Sequence, residues 1–220
     1  TGWYSSEASY HVLDDAPGGA FTRRFFSFGS QGAMDRALGA SARPGATTGP
    51  TDVFFGVELK NQTFDTITNL KIRYTGEQWS SRDNNRQSLF FHFSTTATAL
   101  VGAGATFTAF DAGKFNSPKT GFLGKLDGNA TGNRVVKTLN LNNLKIANGS
   151  TFWIRWQDVD TPGVDHGLGI DDVSIEAFTD ISVPPPIPEP STWGMFAVGL
   201  GSVAARAGWM RRHAKLRGMG

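Results

Sequence analysis

The sequence predicts an all-β domain of β-sandwich or jelly-roll type, followed by a Pro-rich spacer and a single C-terminal hydrophobic helix. Three observations carry that prediction. Short segments alternate apolar and polar residues with period 2, the signature of half-buried strands. No long amphipathic helical window occurs before residue 190. Glycine (27 residues) and phenylalanine (17) are abundant, with many Thr, Ser and Asn, the composition of strands joined by tight turns.

The elements follow in order. Residues 10–13 form a short edge strand, stopped by the turn sequence DDAPGG at 14–19. Residues 21–28 form a strand, and 29–51 read as loop around an apolar-charged cluster at 34–39. The clearest strand is 52–59: Val53, Phe55, Val57 and Leu59 face inward, while Phe54, Gly56 and Glu58 face outward. Leu70, Ile72 and Tyr74 define the next strand, which 75–79 end and a polar loop at 80–87 follows. Leu89, Phe91 and Phe93 mark another strand. Residues 95–131 are turn-rich, with short strands near 106–111 and 122–126. Residues 134–141 form a strand with one misfit, Lys137. Asn148–Gly149 is a tight turn. No internal repeat is visible, which argues against a propeller or solenoid.

The domain closes on residues 152–175, FWIRWQDVDTPGVDHGLGIDDVSI. Phe152, Ile154 and Trp156 lie on one face; Trp153, Arg155 and Gln157 on the other. Ile170 and Val173 both belong in the core yet differ in parity. A bulge at Asp171–Asp172 is therefore expected. Asp158, Asp160, Asp165, Asp171 and Asp172 place five carboxylates within fifteen residues. The oxygen-rich turn is either a solvated acidic turn or a structural calcium site, without EF-hand spacing.

Composition excludes several chemistries. With no cysteine there is no disulfide, thiolate metal site or Cys nucleophile. All 19 acidic residues lie at or before Glu189, and five of the 21 basic ones lie beyond it. Residues 1–190 thus hold 16 basic against 19 acidic side chains, a net of −3. The basic balance belongs to the tail and does not imply nucleic acid. FGSQG at 28–32 misses the Gly-x-Ser-x-Gly elbow, and no phosphate loop or HExxH occurs. His92 reads as a half-buried structural histidine and His166 as an exposed loop residue. Asn61, Asn129 and Asn148 fit Asn-x-Ser/Thr and read as turn residues.

No catalytic constellation stands out, so the expected protein is not an enzyme. A glycan-active hydrolase remains the competitor, with Glu77 meeting the aspartate cluster. Trp79 and Trp153 are the candidate ligand-binding residues, stacking on sugar rings beside Glu77, Gln78 and Arg155. The alternative is that both indoles are buried.

Beyond residue 180 the composition changes. Residues 181–190 contain five prolines and form an extended spacer, assigned to 181–191. Residues 192–220 hold a thin apolar segment and a basic tail with Arg211, Arg212 and Lys215, a stop that places the C-terminus in the cytoplasm. The chain begins at Thr1, so either a signal peptide has been removed or the sequence is a fragment.

The order Pro188–Glu189–Pro190, apolar segment, Arg-rich end resembles the PEP-CTERM sorting signal of Gram-negative bacteria. That resemblance implies recognition by an exosortase, transient membrane attachment, and export to the cell surface or an exopolysaccharide matrix. MDRALGA (34–40), YTGEQW (74–79), LDGNATGNR (126–134) and residues 152–177 resemble an uncharacterised β-sandwich domain common in such proteins. IDDVSI (170–175) is similar to the last strand of jelly-roll carbohydrate-binding modules, several of which hold structural calcium there. The expected role is adhesion or matrix association through polysaccharide; a purely structural matrix protein is the other non-catalytic reading.

Overall fold

The structure, a computed structural model, describes residues 2–8, 10–13, 24–30, 32–42 and 52–180. All of them fall in one unit, Thr1–Asp180. The strands are β1 (Gly2–Ser5), β2 (Tyr10–Leu13), β3 (Arg24–Phe28), β4 (Ala37–Ser41), β5 (Val53–Lys60), β6 (Ile67–Asp83) and β7 (Ser88–Ser94). They continue with β8 (Thr108–Ala109), β9 (Phe115–Asn116), β10 (Gly121–Lys125), β11 (Arg134–Leu141), β12 (Thr151–Asp158) and β13 (Gly167–Thr179).

Two sheets form the sandwich. One has the order β1-β5-β12-β7-β8, with β9 also on β7. The other has the order β10-β6-β13-β4-β3-β2, with β11 also on β6. Every pair is antiparallel except β2 with β3. The inward residues read from the alternation make the core: Val53, Phe55, Leu70, Ile72, Tyr74, Leu89, Phe91, Ile154 and Trp156 join one buried cluster.

Each sheet also carries a small cluster on its outer face. Behind β6, Trp79 packs with Phe26, Phe28 and Ala37. Behind β12, Trp153 packs with Ala97 and Leu100 of the 95–107 loop, with Phe54 and Phe107 alongside. This is the period-2 rule at work: around Trp79 and Trp153 both faces of β6 and β12 are covered, one by the opposite sheet and one by neighbouring strand or loop residues.

The expected bulge in β13 is present. Asp171 pairs with Thr75 and Ser174 with Arg73, so β13 gains one residue over β6. Asp172 takes a left-handed backbone, φ 52°. The extra residue returns Val173 and Ile175 to the core side, where both pack against the main cluster.

Three expectations need correction. First, β6 does not end at Thr75–Trp79 but continues to Asp83, where a polar loop was expected. Ser80 and Ser81 are buried there. The Gly167 N–H donates to Ser80 Oγ, and Ser81 Oγ donates to the Gly121 carbonyl. Polar side chains bonded in this way extend a strand as well as apolar ones do. Second, β4 lies inside the segment read as loop, and its small residues fit a tight approach to β13. Third, β1 lies in a segment without clear pattern. Lys137, the misfit of β11, is partly buried on a strand with no outer partner among the described residues. A lysine there discourages unwanted sheet pairing.

Among the described residues no helix is long and apolar enough to cross a membrane. The spacer, the 188–190 motif, the apolar segment 192–210 and the basic residues Arg211, Arg212 and Lys215 lie outside the described residues.

Candidate functional site

Strand β1 presents one aromatic side chain to each side of the first sheet. Trp3 points inward and stacks on Trp156, with centroids 6.1 Å apart and planes at 17°. Tyr4 points outward against Trp153 at 5.0 Å. Both remain partly exposed, Trp3 by 47% and Tyr4 by 43%.

On the inward side a cleft of about 400 Å³ opens between β1 and β3–β4. Its walls include Trp3, Phe25 and Leu38, and its polar groups include Ser5, Glu7 and Ser27. Ser27 is held by Arg36, whose Nε donates to its Oγ at 2.9 Å. A mostly apolar cleft of this size with a few fixed polar groups suits a small ligand or one or two sugar units. The Trp3 ring is clamped by Trp156 behind it, which leaves a rigid aromatic edge toward the opening.

On the outward side the strand registers align a row: Tyr4 opposite Gly56, Gly56 opposite Arg155, Arg155 opposite His92. Gly56 is required because a Cβ there would run into the Ile154 carbonyl. Arg155 is 8% exposed, with its guanidinium between the Phe54 ring (4.6 Å) and the Phe107 ring (3.9 Å). One of its Nη groups donates to the Leu100 carbonyl at 3.0 Å. Burial alone draws its pKa down to about 10. Burial first, and then the Arg155 charge, draw His92 down to about 4, so this histidine, buried where the sequence suggested half-burial, is neutral.

Sequence reasoning missed the β1 residues. The signal available was the adjacent pair Trp3–Tyr4 in an otherwise polar stretch, since neighbours on a strand serve opposite faces.

The structure places the other predicted ligand residues inside. Trp79 is 1% exposed, stacked on Phe28 at 6.1 Å, and its Nε1 donates to Glu77 Oε2 at 3.2 Å. Gln78 is consumed structurally: its Nε2 donates to the carbonyls of Ser80 and Lys119, and its Oε1 accepts the Lys119 N–H. Trp153 is 3% exposed. Neither indole offers a face to a sugar, because a loop covers each outer sheet face. Of the five predicted ligand residues only Arg155 belongs to a row that also has an exposed aromatic.

The aspartates divide into two groups. Asp158 and Asp165 are buried where β12 meets the 159–166 turn. The Ala42 N–H donates to Asp158 Oδ2 at 2.8 Å, and the Thr161 hydroxyl donates to Asp165 Oδ1 at 2.7 Å. The Asp160 N–H donates to Asp52 Oδ1 at 3.1 Å. Burial, then the neighbouring Asp165 charge, raises Asp158 well above the usual carboxylate range. Burial pushes Asp165 up to about 7. Asp171 and Asp172 sit instead at the β13 bulge, where Thr75 donates to Asp172 Oδ2 at 3.1 Å. Asp171 is raised to about 6, chiefly by burial. Glu77 is raised to about 7 by burial and then by the Asp171 charge.

The structure therefore brings Glu77 near Asp171 but does not gather the five aspartates around one point. The turn at 159–166 precedes β13 and the bulge lies within it, so the five carboxylates fall in two separate groups. Among the described residues no group of three or more histidine or acidic side chains is placed to hold a metal ion. His166, expected to be exposed, is fully buried. Its Nδ1 accepts the Arg82 N–H at 3.0 Å, which fixes the ring inside the turn.

Comparison with known proteins places the tail. Residues 186–212 match the PEP-CTERM protein-sorting motif. The chain carries a PEP-CTERM sorting signal. Such a signal implies a secreted, cell-envelope-associated protein that is processed by exosortase. No curated protein matches the chain.

The chain is similar in structure to the K3 cleaved adhesin domain of Lys-gingipain from Porphyromonas gingivalis W83. Identity is 14%, the TM-score 0.40, and the match covers 79% of this chain and 90% of that one. It is also similar to a carbohydrate-binding module, CBM28, specific for non-crystalline cellulose. There identity is 10%, the TM-score 0.37, and coverage 80% and 89%. A third is TmCBM61 in complex with β-1,4-galactotriose, at 10% identity, TM-score 0.35, and coverage of 65% and 71%. At these scores none of the three carries an argument about ligand or activity.

Proposed function

We propose that this PEP-CTERM protein is a non-catalytic surface or matrix component that associates with extracellular polysaccharide through the cleft beside β1. The observation that carries the reading is the sorting motif at 186–212, which directs the domain to the compartment where such polymers lie. Before processing, the apolar segment holds the chain in the membrane, with Arg211, Arg212 and Lys215 on the cytoplasmic side. The exposed Trp3 edge beside Ser5, Glu7 and Ser27 supports glycan association. The non-catalytic reading is supported by access: Glu77, Asp158 and Asp165 are buried, so none of the three opens to a polymer substrate.

Co-sedimentation of the full chain with the polysaccharide of the producing cells tests this. Trp3→Ala is expected to weaken binding about tenfold, the loss of one aromatic platform, by the relation of ~1.4 kcal/mol per decade. The melting temperature is expected to change little, since Trp3 is half exposed at a sheet edge. Equal binding by wild type and Trp3→Ala would remove the cleft from the account. No binding to any polymer would favour a purely structural matrix role.

A further inference from the structure

The first sheet runs β1-β5-β12-β7-β8, so β8 lies at the edge opposite β1. At that edge a second open cleft, of about 350 Å³, separates the end of β7 and β8 from the loop that follows β11. It shares no lining residue with the Trp3 cleft. Its inner part is apolar. Phe93 and Phe110 meet edge-on at 6.5 Å and 76°, and Phe110 and Leu144, both partly buried, pack against the main core.

The outer part is polar and exposed, with Thr95, Thr106, Thr108, Asn143 and Lys145. Within the described residues none of these five side chains has a hydrogen bond or ion pair. The backbone that carries two of them is pinned. The Leu144 N–H donates to the Thr68 carbonyl at 2.8 Å, and Ile146 bridges to Ile67. Asn143 takes a left-handed backbone, φ 57°, which asparagine tolerates better than most residues. Polar groups held in place before a ligand arrives lose little freedom when it binds.

Electrostatics select the ligand. Among the described residues no carboxylate lines this cleft and Lys145 is its one charged group, whereas Glu7 lines the Trp3 cleft. Neither 84–110 nor 128–157, the stretches that supply the walls, contains an Asp or Glu, although residues 1–190 hold 19 acidic against 16 basic side chains. An acidic domain thus leaves one open cleft free of acid and puts a lysine in it, which favours an anion there. Hydroxyls and an amide around an aromatic ring suit a sugar: the polar groups meet its hydroxyls and the ring meets its C–H face.

We infer that the cleft between β8 and Asn143–Lys145 binds an acidic sugar residue of the polysaccharide. Its carboxylate or sulfate sits on Lys145, its hydroxyls on Thr106, Thr108 and Asn143, and its apolar face on Phe110. The site rests on the glycan reading above and names the class of polymer.

The test measures affinities of the full chain by titration calorimetry for polygalacturonate, the same polymer after carboxyl reduction, dextran sulfate and plain dextran. At least one acidic polymer is expected to bind at least tenfold tighter than its neutral counterpart, and which one does so names the acidic group. Lys145→Gln is expected to lose about tenfold on that polymer, one charge-assisted hydrogen bond, with the melting temperature unchanged because the lysine is exposed and unpaired. Lys145→Arg is expected to bind within about threefold of wild type, since the charge is kept. Lys119→Gln is the control. Lys119 is bonded to Gln78 and Leu144 to Thr68, so the two lysines belong to opposite ends of β6.

Lys145→Gln binding as wild type does would overturn the inference. So would an equal loss in Lys119→Gln, which would show attraction by general charge, or a loss in Lys145→Arg as large as in Lys145→Gln. Equal affinity for acidic and neutral polymers overturns the acidic-sugar site and leaves the glycan reading standing. No binding of any of the four overturns this site, and the Trp3→Ala comparison on native polysaccharide then decides the wider reading.

Discussion

Replacing Trp156 by alanine is expected to destabilise the domain by about 3–5 kcal/mol, the range for deleting a large buried aromatic. Trp156 is fully buried at the middle of β12, in register with Phe55 on one side and Phe91 on the other. Its ring stacks on Phe55 at 6.0 Å and meets Phe91 and Tyr74 edge-on at 5.6 and 5.4 Å. Tyr74 belongs to the opposite sheet, and Trp3, also stacked on Trp156, belongs to the edge strand. One indole thus ties both sheets and β1 together. Against a typical total of about 5–15 kcal/mol, its loss removes a large share of stability. Urea unfolding of wild type and variant measures the difference, and a cost below about 1 kcal/mol would contradict the packing described.

Stability is expected to fall as pH rises from about 4.5 to 8. Glu77 and Asp165 are pushed up to about 7 and Asp171 to about 6, and Asp158 is raised as well. Above their ordinary values these groups hold protons in the folded state that the unfolded chain has released. Their stabilising contribution is complete below the unfolded pKa and is lost as pH passes through the folded pKa. His92, lowered to about 4, and His166, also lowered, act in the opposite sense. Their contribution is present above the unfolded value, near 6.5, and lost as pH falls.

Four acids outweigh two histidines below that point, and only the acids remain above it. After allowance for solvent screening, the net decline is about 2–3 kcal/mol. That corresponds to roughly 5–10 °C in melting temperature. Thermal melts across this range in the presence of a chelator test it, and a flat or rising profile would contradict it.

The parts of the fold that follow from alternation alone were legible. Residues 134–141 were read as a strand and are β11; 52–59 became Val53–Lys60. The parity conflict between Ile170 and Val173 located the bulge, where β13 gains one residue over β6. Alternation also gave the correct inner residues of β5, β6, β7 and β12. It could not say what covers the outer faces, because that depends on loops far along the chain. Trp79 is covered by the turn at Gly128, where a Cβ would run into the indole, and Trp153 by the 95–107 loop. Both tryptophans were therefore read as open to a ligand alongside the alternative that they are buried. The continuation of β6 through Ser80 and Ser81 was missed for a related reason. Hydroxyl groups bonded inside a sheet look, in sequence, like hydroxyl groups in water. The aspartates were close in the chain and were expected to converge; a strand rises about 3.3 Å per residue, so the turn and the bulge stand apart.

The central claim is that this domain is exported and released from its tail by recognition of the sorting signal. Mass measurement of the protein recovered from cell fractions tests it most directly, with wild type beside a triple variant, Pro188→Ala, Glu189→Ala and Pro190→Ala. The expected result is a wild-type chain outside the cytoplasm, shortened so that Arg211, Arg212 and Lys215 are gone, and a variant that stays full length in the membrane fraction. Recovery of the intact wild-type chain in the cytoplasm, with its basic tail attached, would contradict the account.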